Sequence, residues 1–351
     1  MALLDSQYMS LLDLAKLKDP NGGMADIVEI LNQSNPVLED IPFIEGNLDT
    51  GHRHTIRAGI PAPTYTKLYG SVQPTKSTTV QVTDTCAMLE AYSEVDYKLA
   101  QMNNNKMAWR LSQDVAHLEG FGQEVANGIF YNDEEVTPEK FTGLAPRYNE
   151  RGTGLAANAE NIIHGGGSGN DNRSIWLVGW GPRACFGIVP KGTVAGFQFR
   201  DLGEDTTKES DGSLRQVYRT HMMWNVGLAL ADWRKVVRVA NIDASLVAAN
   251  SSRYTAGTGF ASSTADLTDL LHQAISRLPQ TSSNIAAGGE RYCMYMGRDM
   301  LDGLRRQVSA KTIESSLTME NVGGTLITSF MGFPIKRVDA LGTDEAVVPS
   351  N

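Results

Sequence analysis

The chain is short of the features that most enzymatic and membrane readings need. Its 351 residues hold three cysteines, Cys86, Cys185 and Cys293, odd in number and far apart. No C-x-x-C pair occurs, so zinc and thiol-redox motifs have no support, and free thiols point to a reducing cytosol. No apolar run approaches the ~18 residues of a membrane span. Asp5 and Asp13 interrupt the N-terminal leucines, which is unlike a signal peptide. There is no G-x-x-x-x-G-K-[ST], and no G-x-G-x-x-G follows a strand and opens a helix, so nucleotide chemistry lacks its phosphate cradle. His164-Gly165-Gly166-Gly167 matches an esterase oxyanion loop. No serine, however, has glycine at both positions of the nucleophile elbow: Ser168 has only Gly166 and Ser210 only Gly212. The loop reads as a flexible surface turn.

Charge of one sign is missing locally. The whole chain carries −9, from 31 Lys+Arg and 40 Asp+Glu, a balance unsuited to gripping phosphate backbones. Residues 1–50 set Lys16 and Lys18 against nine acids, a local −7. Residues 51–83 hold Arg53, Arg57, Lys67 and Lys76 and no acid, a local +4. Four charges with Tyr65 and Tyr69 are thin for single-stranded nucleic acid. A basic arm matched to acids of another subunit fits better.

What is present is a core and much extended chain. Hydrophobic residues make up 41% and charged residues 20%, as in globular proteins. Helical stripes run through Leu4, Tyr8, Leu11 and Ala15, then Met24 to Leu31. Residues 35–50 read as an extended arm. Residues 51–85 read as a long β-hairpin with a Gly/Pro tip, too poor in apolar side chains to stand alone in water. Helical gaps from Met88 to Met102 and the S-x-x-D at Ser93–Asp96 predict a helix near 93–102. Met107, Leu111, Val115, Leu118, Phe121, Val125 and Ile129 define one amphipathic helix of about 25 residues, capped by Asn103–Asn105. Gly120, Gly122 and Gly128 in it imply close packing of another backbone. Strands follow at 175–180, 185–189, 194–201, 214–230 and 233–242, with a solvated tip at 204–212. Helices at 265–278 and 298–308 flank a strand at 291–296, and 325–339 alternates again. The class is α+β.

His52 and His54 share one strand face. With Arg53 and Arg57 beside them and no third ligand, they read as a solvated basic strand rather than a metal site. His117 reads as a helix-surface histidine. The acids Asp201, Glu204, Asp205, Glu209 and Asp211 cluster in a polar hairpin tip whose spacing does not fit an EF-hand. No catalytic, metal or cofactor site is expected.

Several stretches resemble the Hong Kong 97-type major capsid protein of tailed bacteriophages, in its short-tailed-phage subfamily. They are NPVLEDIPFIEGN (35–47), TGHRHTIRAG (50–59), VQPTKSTT (72–79), CAMLEAYSEVD (86–96), FYNDEEVTPEKFTGLAPRYN (130–149), WRKVVRVANID (233–243) and MGFPIKRVDAL (331–341). Their order and number carry the likeness. The resemblance implies an N-terminal arm (1–47), an extended loop (48–85), a peripheral domain (86–242) with a spine helix at 104–131, and an axial domain with a C-terminal strand (243–351). The sheet strands precede the axial part, a permuted order against the family prototype. The implied function is a virion shell subunit that self-assembles as hexamers and pentamers around double-stranded DNA. It is assembled in the host cytoplasm with a scaffolding protein, a portal and, in some shells, a cement protein. With the arm beginning near Met1, the expectation is a separate scaffolding protein rather than a fused scaffold segment. Lys67 and Lys76 sit where cross-linking lysines would, but no catalytic acid accompanies them, so no cross-link is expected. The assembly contacts expected are Arg53, Arg57, Lys67 and Lys76 with acids of a neighbour: the turn Asp133, Glu134 and Glu135, the arm, or the spine-helix face. A tail tube or ring protein, and distantly an esterase, are the competing readings.

Overall fold

The computed structural model describes residues 33, 35–102, 106–152, 157–193, 195–208, 212–253, 255, 264–279, 290–311, 317–322 and 325–350. The two expected N-terminal helices and the Asn103–Asn105 cap lie outside them.

The helices are α1 (Val37–Asp40), α2 (Tyr97–Met102), α3 (Lys106–Tyr131), α4 (Leu144–Arg147), α5 (Ala244–Asn250), α6 (Leu267–Arg277) and α7 (Arg298–Ala310). The strands are β1 (Phe43–Glu45), β2 (Gly51–Gly59), β3 (Thr78–Asp96), β4 (Ile162–His164), β5 (Asn172–Trp180), β6 (Cys185–Val189), β7 (Phe197–Lys208), β8 (Leu214–Leu230), β9 (Val236–Asp243), β10 (Arg291–Met296), β11 (Leu317–Val322), β12 (Thr325–Phe330) and β13 (Phe333–Arg337). They join one sheet whose main path is β11-β12-β13-β10-β5-β6-β8-β3-β2, with β1 on β6, β9 on β5, β4 on β9 and β7 on β8.

The core lies on both faces of β5, β9 and β10. Strand periodicity sends Trp176, Val178 and Trp180 to one face, where Val125, Ala126, Ile129 and Phe130 of α3 cover them. Ile175 and Leu177 go to the other, under Leu267, Leu271 and Ala274 of α6 and Met300 and Leu304 of α7. Residues buried on both faces explain why these strands read as continuous apolar runs.

Buried ion pairs tie both chain ends to this core. Arg238 Nη2 meets Glu345 Oε2 at 2.6 Å, with side chains only 5% and 7% exposed. Arg238 also donates to Tyr148 O and Ser174 Oγ, and Tyr131 donates its hydroxyl to Glu345. The C-terminal strap is further held by Asn241, whose side chain bonds both the N–H and the carbonyl of Val348. At the other end, the fully buried Asp40 accepts from Tyr295 at 2.6 Å and from Lys336 at 2.7 Å.

Several sequence expectations need correction. The helix near 93–102 starts only at Tyr97. Residues 86–96 stay in β3 because they pair one for one with β8, from Cys86↔Gly227 to Asp96↔Val217. The helical gaps there were coincidental: Met88 and Tyr92 are exposed while Ala87, Ser93 and Val95 are buried. Asp96, not Ser93, caps α2, accepting from the Lys98 and Leu99 N–H groups. Residues 35–50 are not extended throughout, since Val37–Asp40 form α1; α1 and β1 are built into the core and Val37 is fully buried. The acids at 201–205 are strand residues rather than a solvated tip: Asp201 pairs with Arg110, Asp205 with Arg219, and Glu204 with the Tyr218 hydroxyl. The 164–167 turn is packed, not flexible. Gly165 and Gly167 donate to Ala240 and Asn241 carbonyls, and a Cβ on Gly165 would lie 2.6 Å from Ile242 Cγ1. Strand β11 carries no alternation strong enough to have been read.

The three α3 glycines differ. Gly120 and Gly122 have nothing within 4 Å of an added Cβ, against expectation. Gly128 makes room for side chains, since a Cβ there would lie 2.5 Å from Asn132 Nδ2 and 3.2 Å from Phe141 Cζ; it is Gly143 that lets a second backbone reach α3, where its Cβ would lie 2.5 Å from Gly128 O and 2.9 Å from Ile129 O. Gly143→Ala is therefore expected to cost about 1–3 kcal/mol by overpacking, whereas Gly120→Ala should gain up to about 1 kcal/mol of helix propensity. Denaturant unfolding of the two variants checks the contrast; equal midpoints would contradict it. In the same assay Glu345→Ala, which strands Arg238, should cost about 3–5 kcal/mol. A Glu345→Ala, Arg238→Ala double variant should lose less than the two singles summed.

Candidate assembly interface

The most prominent projection is the β2–β3 hairpin, as the Thr/Val alternation indicated. Its ladder runs from Gly51↔Thr85 to Gly59↔Thr78, with one bulge between Arg57 and Gly59. Eight residue steps make an arm of about 27 Å. Residues 60–77 form its tip, and their large apolar side chains have no cover. Ile60 is 86% exposed, Leu68 91%, and Tyr65 and Tyr69 fully so.

Arg53, Arg57, Lys67 and Lys76 are all exposed on this arm. Among the described residues none of them meets a carboxylate. Arg53 instead bonds Thr83 Oγ1 through Nε, and its backbone is bridged on both sides by the Asn47 amide. The structure does not bring the four cations to the acidic turn. Asp133, Glu134 and Glu135 sit near the root of the hairpin. Glu134 accepts from Thr85 Oγ1 at 2.6 Å and Thr142 Oγ1 at 3.4 Å, and Asp133 accepts from Glu135 N–H. Glu134 is thus engaged inside its own subunit, while Glu135 is exposed.

The root itself holds residues that sequence reasoning missed. Asp84, its side chain 4% exposed, pairs with Arg147 Nη1 at 2.8 Å and accepts the Leu230 N–H. Arg147 also donates to the carbonyls of Thr142, Gly143 and Leu228. One guanidinium thereby joins the hairpin, the 142–147 turn and β8. His52 and His54 are not solvated, contrary to expectation. They stack with centroids 6.1 Å apart, and His52 meets Phe186 edge-on at 5.5 Å. Asp84 and Arg147 stand 63 positions apart in the chain, and no local pattern announces the pair.

A groove of about 460 Å³ lies just beyond the root, between β3 and α3. Met88, Leu89, Ala116, Gly120 and Phe121 line it, with Glu90 and Glu124. Both acids are about half exposed, at 47% and 49%. Over 86–96 strand β3 pairs only with β8, so its second edge has no strand partner among the described residues. Among those residues no group of three His, Cys, Asp or Glu is placed to hold a metal. Among the described residues no helix is long and apolar enough to cross a membrane.

The family described as major capsid protein GP7 matches residues 19–349. A solved structure of bacteriophage Epsilon15 is 32% identical and covers 99% of this chain and 100% of its own, with a TM-score of 0.74. The capsid of a native GTA particle is 11% identical over 64% of this chain and 95% of its own, TM-score 0.42. The SrpI encapsulin complex of Synechococcus elongatus is 9% identical over 69% and 97%, TM-score 0.42. No curated protein matches the chain. The α+β, Hong Kong 97-like fold that the sequence motifs implied stands. A match over residues 19–349, with 32% identity over 99% of the chain to a phage structure, makes this chain a member of the major capsid protein GP7 family.

Proposed function

We propose that the chain is the shell subunit of a tailed-phage virion, self-assembling as hexamers and pentamers around double-stranded DNA, and that the hairpin is its principal link to the next copy. The observation that carries this reading is the uncovered tip. Burying a large apolar side chain is worth about 1.5–3 kcal/mol, and the tip leaves Ile60, Tyr65, Leu68 and Tyr69 in water. Its own body cannot cover them. The hairpin is a paired ladder, and the apolar groove beside Met88 starts three residues past its root, about 30 Å from the tip. The tip of one copy therefore serves the groove of another. Charge agrees: Arg57, Lys67 and Lys76 approach a rim bearing Glu90 and Glu124, with Glu135 beyond. Such a head-to-tail contact closes into rings when the rotation between copies allows it.

In this reading residues 1–47 are the arm, 48–85 the extended loop, 86–242 the peripheral part with its spine helix, and 243–351 the axial part. The sheet continues across residue 242 through the β5–β10 pairing. The role is structural rather than catalytic. A separate scaffolding protein, a portal and in some shells a cement protein are its partners, and assembly takes place in the host cytoplasm. A net charge of −9 keeps the wall from trapping the genome.

Negative-stain microscopy of the expressed protein, with and without scaffold, tests this reading. Closed particles support it; tubes, or a small oligomer under all conditions, refute it. Each rim pair contributes only about 0–1 kcal/mol, but several repeat at every contact. Arg57→Glu with Lys67→Glu and Lys76→Glu should therefore raise the concentration needed for shells at least about tenfold. The unfolding midpoint should not move. Shells forming at the wild-type concentration would rule out the pairing.

A further inference from the structure

The two histidines at the hairpin root have no role in the contacts above. They sit where β3 exchanges partners, from β2 below Thr85 to β8 from Cys86 onward. Glycines let the strands come close here: a Cβ on Gly227 would lie 2.5 Å from Thr85 O, and one on Gly51 would clash with Asp84 O. A ladder that changes partners within one residue is a natural pivot for the arm.

The pivot is sealed by two imidazoles. The His54 side chain is 11% exposed, and its Nδ1 stands 3.6 Å from Asp84 Oδ2, beyond hydrogen-bond reach. Neither ring nitrogen of His54, nor Nδ1 of His52, has a hydrogen-bond partner among the described residues. Asp84 is committed to Arg147. The charged and titratable groups around the pair are Asp84 and Cys86 on β3, Arg147 on α4 and Cys185 on β6. Burial holds both thiols neutral, pushing Cys86 to about 11 and Cys185 to about 12. Arg53 and Arg57 point from the opposite face of β2.

We propose that His52 is a proton-operated release for the hairpin: protonating it sets a new cation into the root, where Arg147 already holds the one nearby carboxylate, Asp84, and this unseats the root from Phe186 and lets the arm change its angle to the sheet. Burial first, and the neighbouring His54 second, lower the His52 pKa below its ordinary value, while Asp84 opposes them. The seated root thus binds protons less readily than a free imidazole. Seating is fully favoured above pH about 6.5 and is lost as the pH falls through the lowered value. At neutral pH the arm is set; in acid it is released.

The test uses the full-length subunit between pH 8.5 and 4.5. Deuterium exchange at the imidazole C2, read by mass spectrometry, gives the midpoint of each histidine. Backbone amide exchange over 52–57 and 80–86, corrected for intrinsic rates, reads the seating. The expected result is a His52 midpoint below 6.5 and an at least tenfold rise in amide exchange with the same midpoint. A His52→Asn variant should lose that step. Absence of the step in the wild-type chain, or its persistence in the variant, overturns the proposal. Should the variant not fold, a wild-type amide step more than about one pH unit away from the His52 midpoint overturns it as well. Shell formation at neutral pH is not required by this release, so its failure and that of the assembly reading are told apart.

Discussion

Strand β3 belongs to two structures at once, and the rest of the molecule is arranged around that fact. Its first half is one leg of a projecting hairpin, and its second half joins the body sheet along β8. Any force on the tip is delivered along a continuous backbone into the sheet. A two-stranded arm gains little stability from its own contacts, so it must be held at its root. The Asp84–Arg147 pair does this, with Arg147 spending its remaining donors on three carbonyls of the body. Breaking that pair would strand a buried charge, which costs more than the pair itself contributes.

Buried ions recur at the other junctions. Asp40 fastens the N-terminal segment to β10 and β13, and Arg238 fastens the C-terminal strap to β5 and β9. In each case one charged group reaches several partners on different elements. A hydrophobic contact would stabilise as well but would tolerate sliding. Directional, charge-assisted bonds fix where the elements meet. Under the proposed assembly, in which the arm reaches a neighbour, angular definition matters more than raw stability.

The fold was legible wherever side chains report the backbone period cleanly. Strands β6, β8 and β10 begin and end where their apolar runs do, because both of their faces or one whole face are buried. The hairpin was legible from Thr/Val alternation and from a stretch without a single acid. Residues 86–96 misled because medium-sized apolar residues fell at helical gaps, and only the unseen partner β8 decides between strand and helix. At the assembly surface, exposure of Arg53, Arg57, Lys67 and Lys76 followed from sequence. The engagement of Glu134 by Thr85 and Thr142 did not, nor did the Asp84, Arg147 and histidine cluster. Those contacts join segments dozens of residues apart, and chain-local patterns carry no trace of them.

The burial of Asp40 also sets the order in which the subunit can be completed. Its partners Tyr295 and Lys336 lie 255 and 296 residues further along the chain. At about 5–20 residues per second of synthesis, Asp40 waits roughly 15–60 seconds before Lys336 exists. Until then β1 can pair with β6, but Asp40 lacks the partner that β13 supplies. The final closure is a long-range step with a high loop-closure cost. A nascent subunit is thus unable to present its finished outline before nearly all of it has left the ribosome, which separates the birth of a subunit from its recruitment in time.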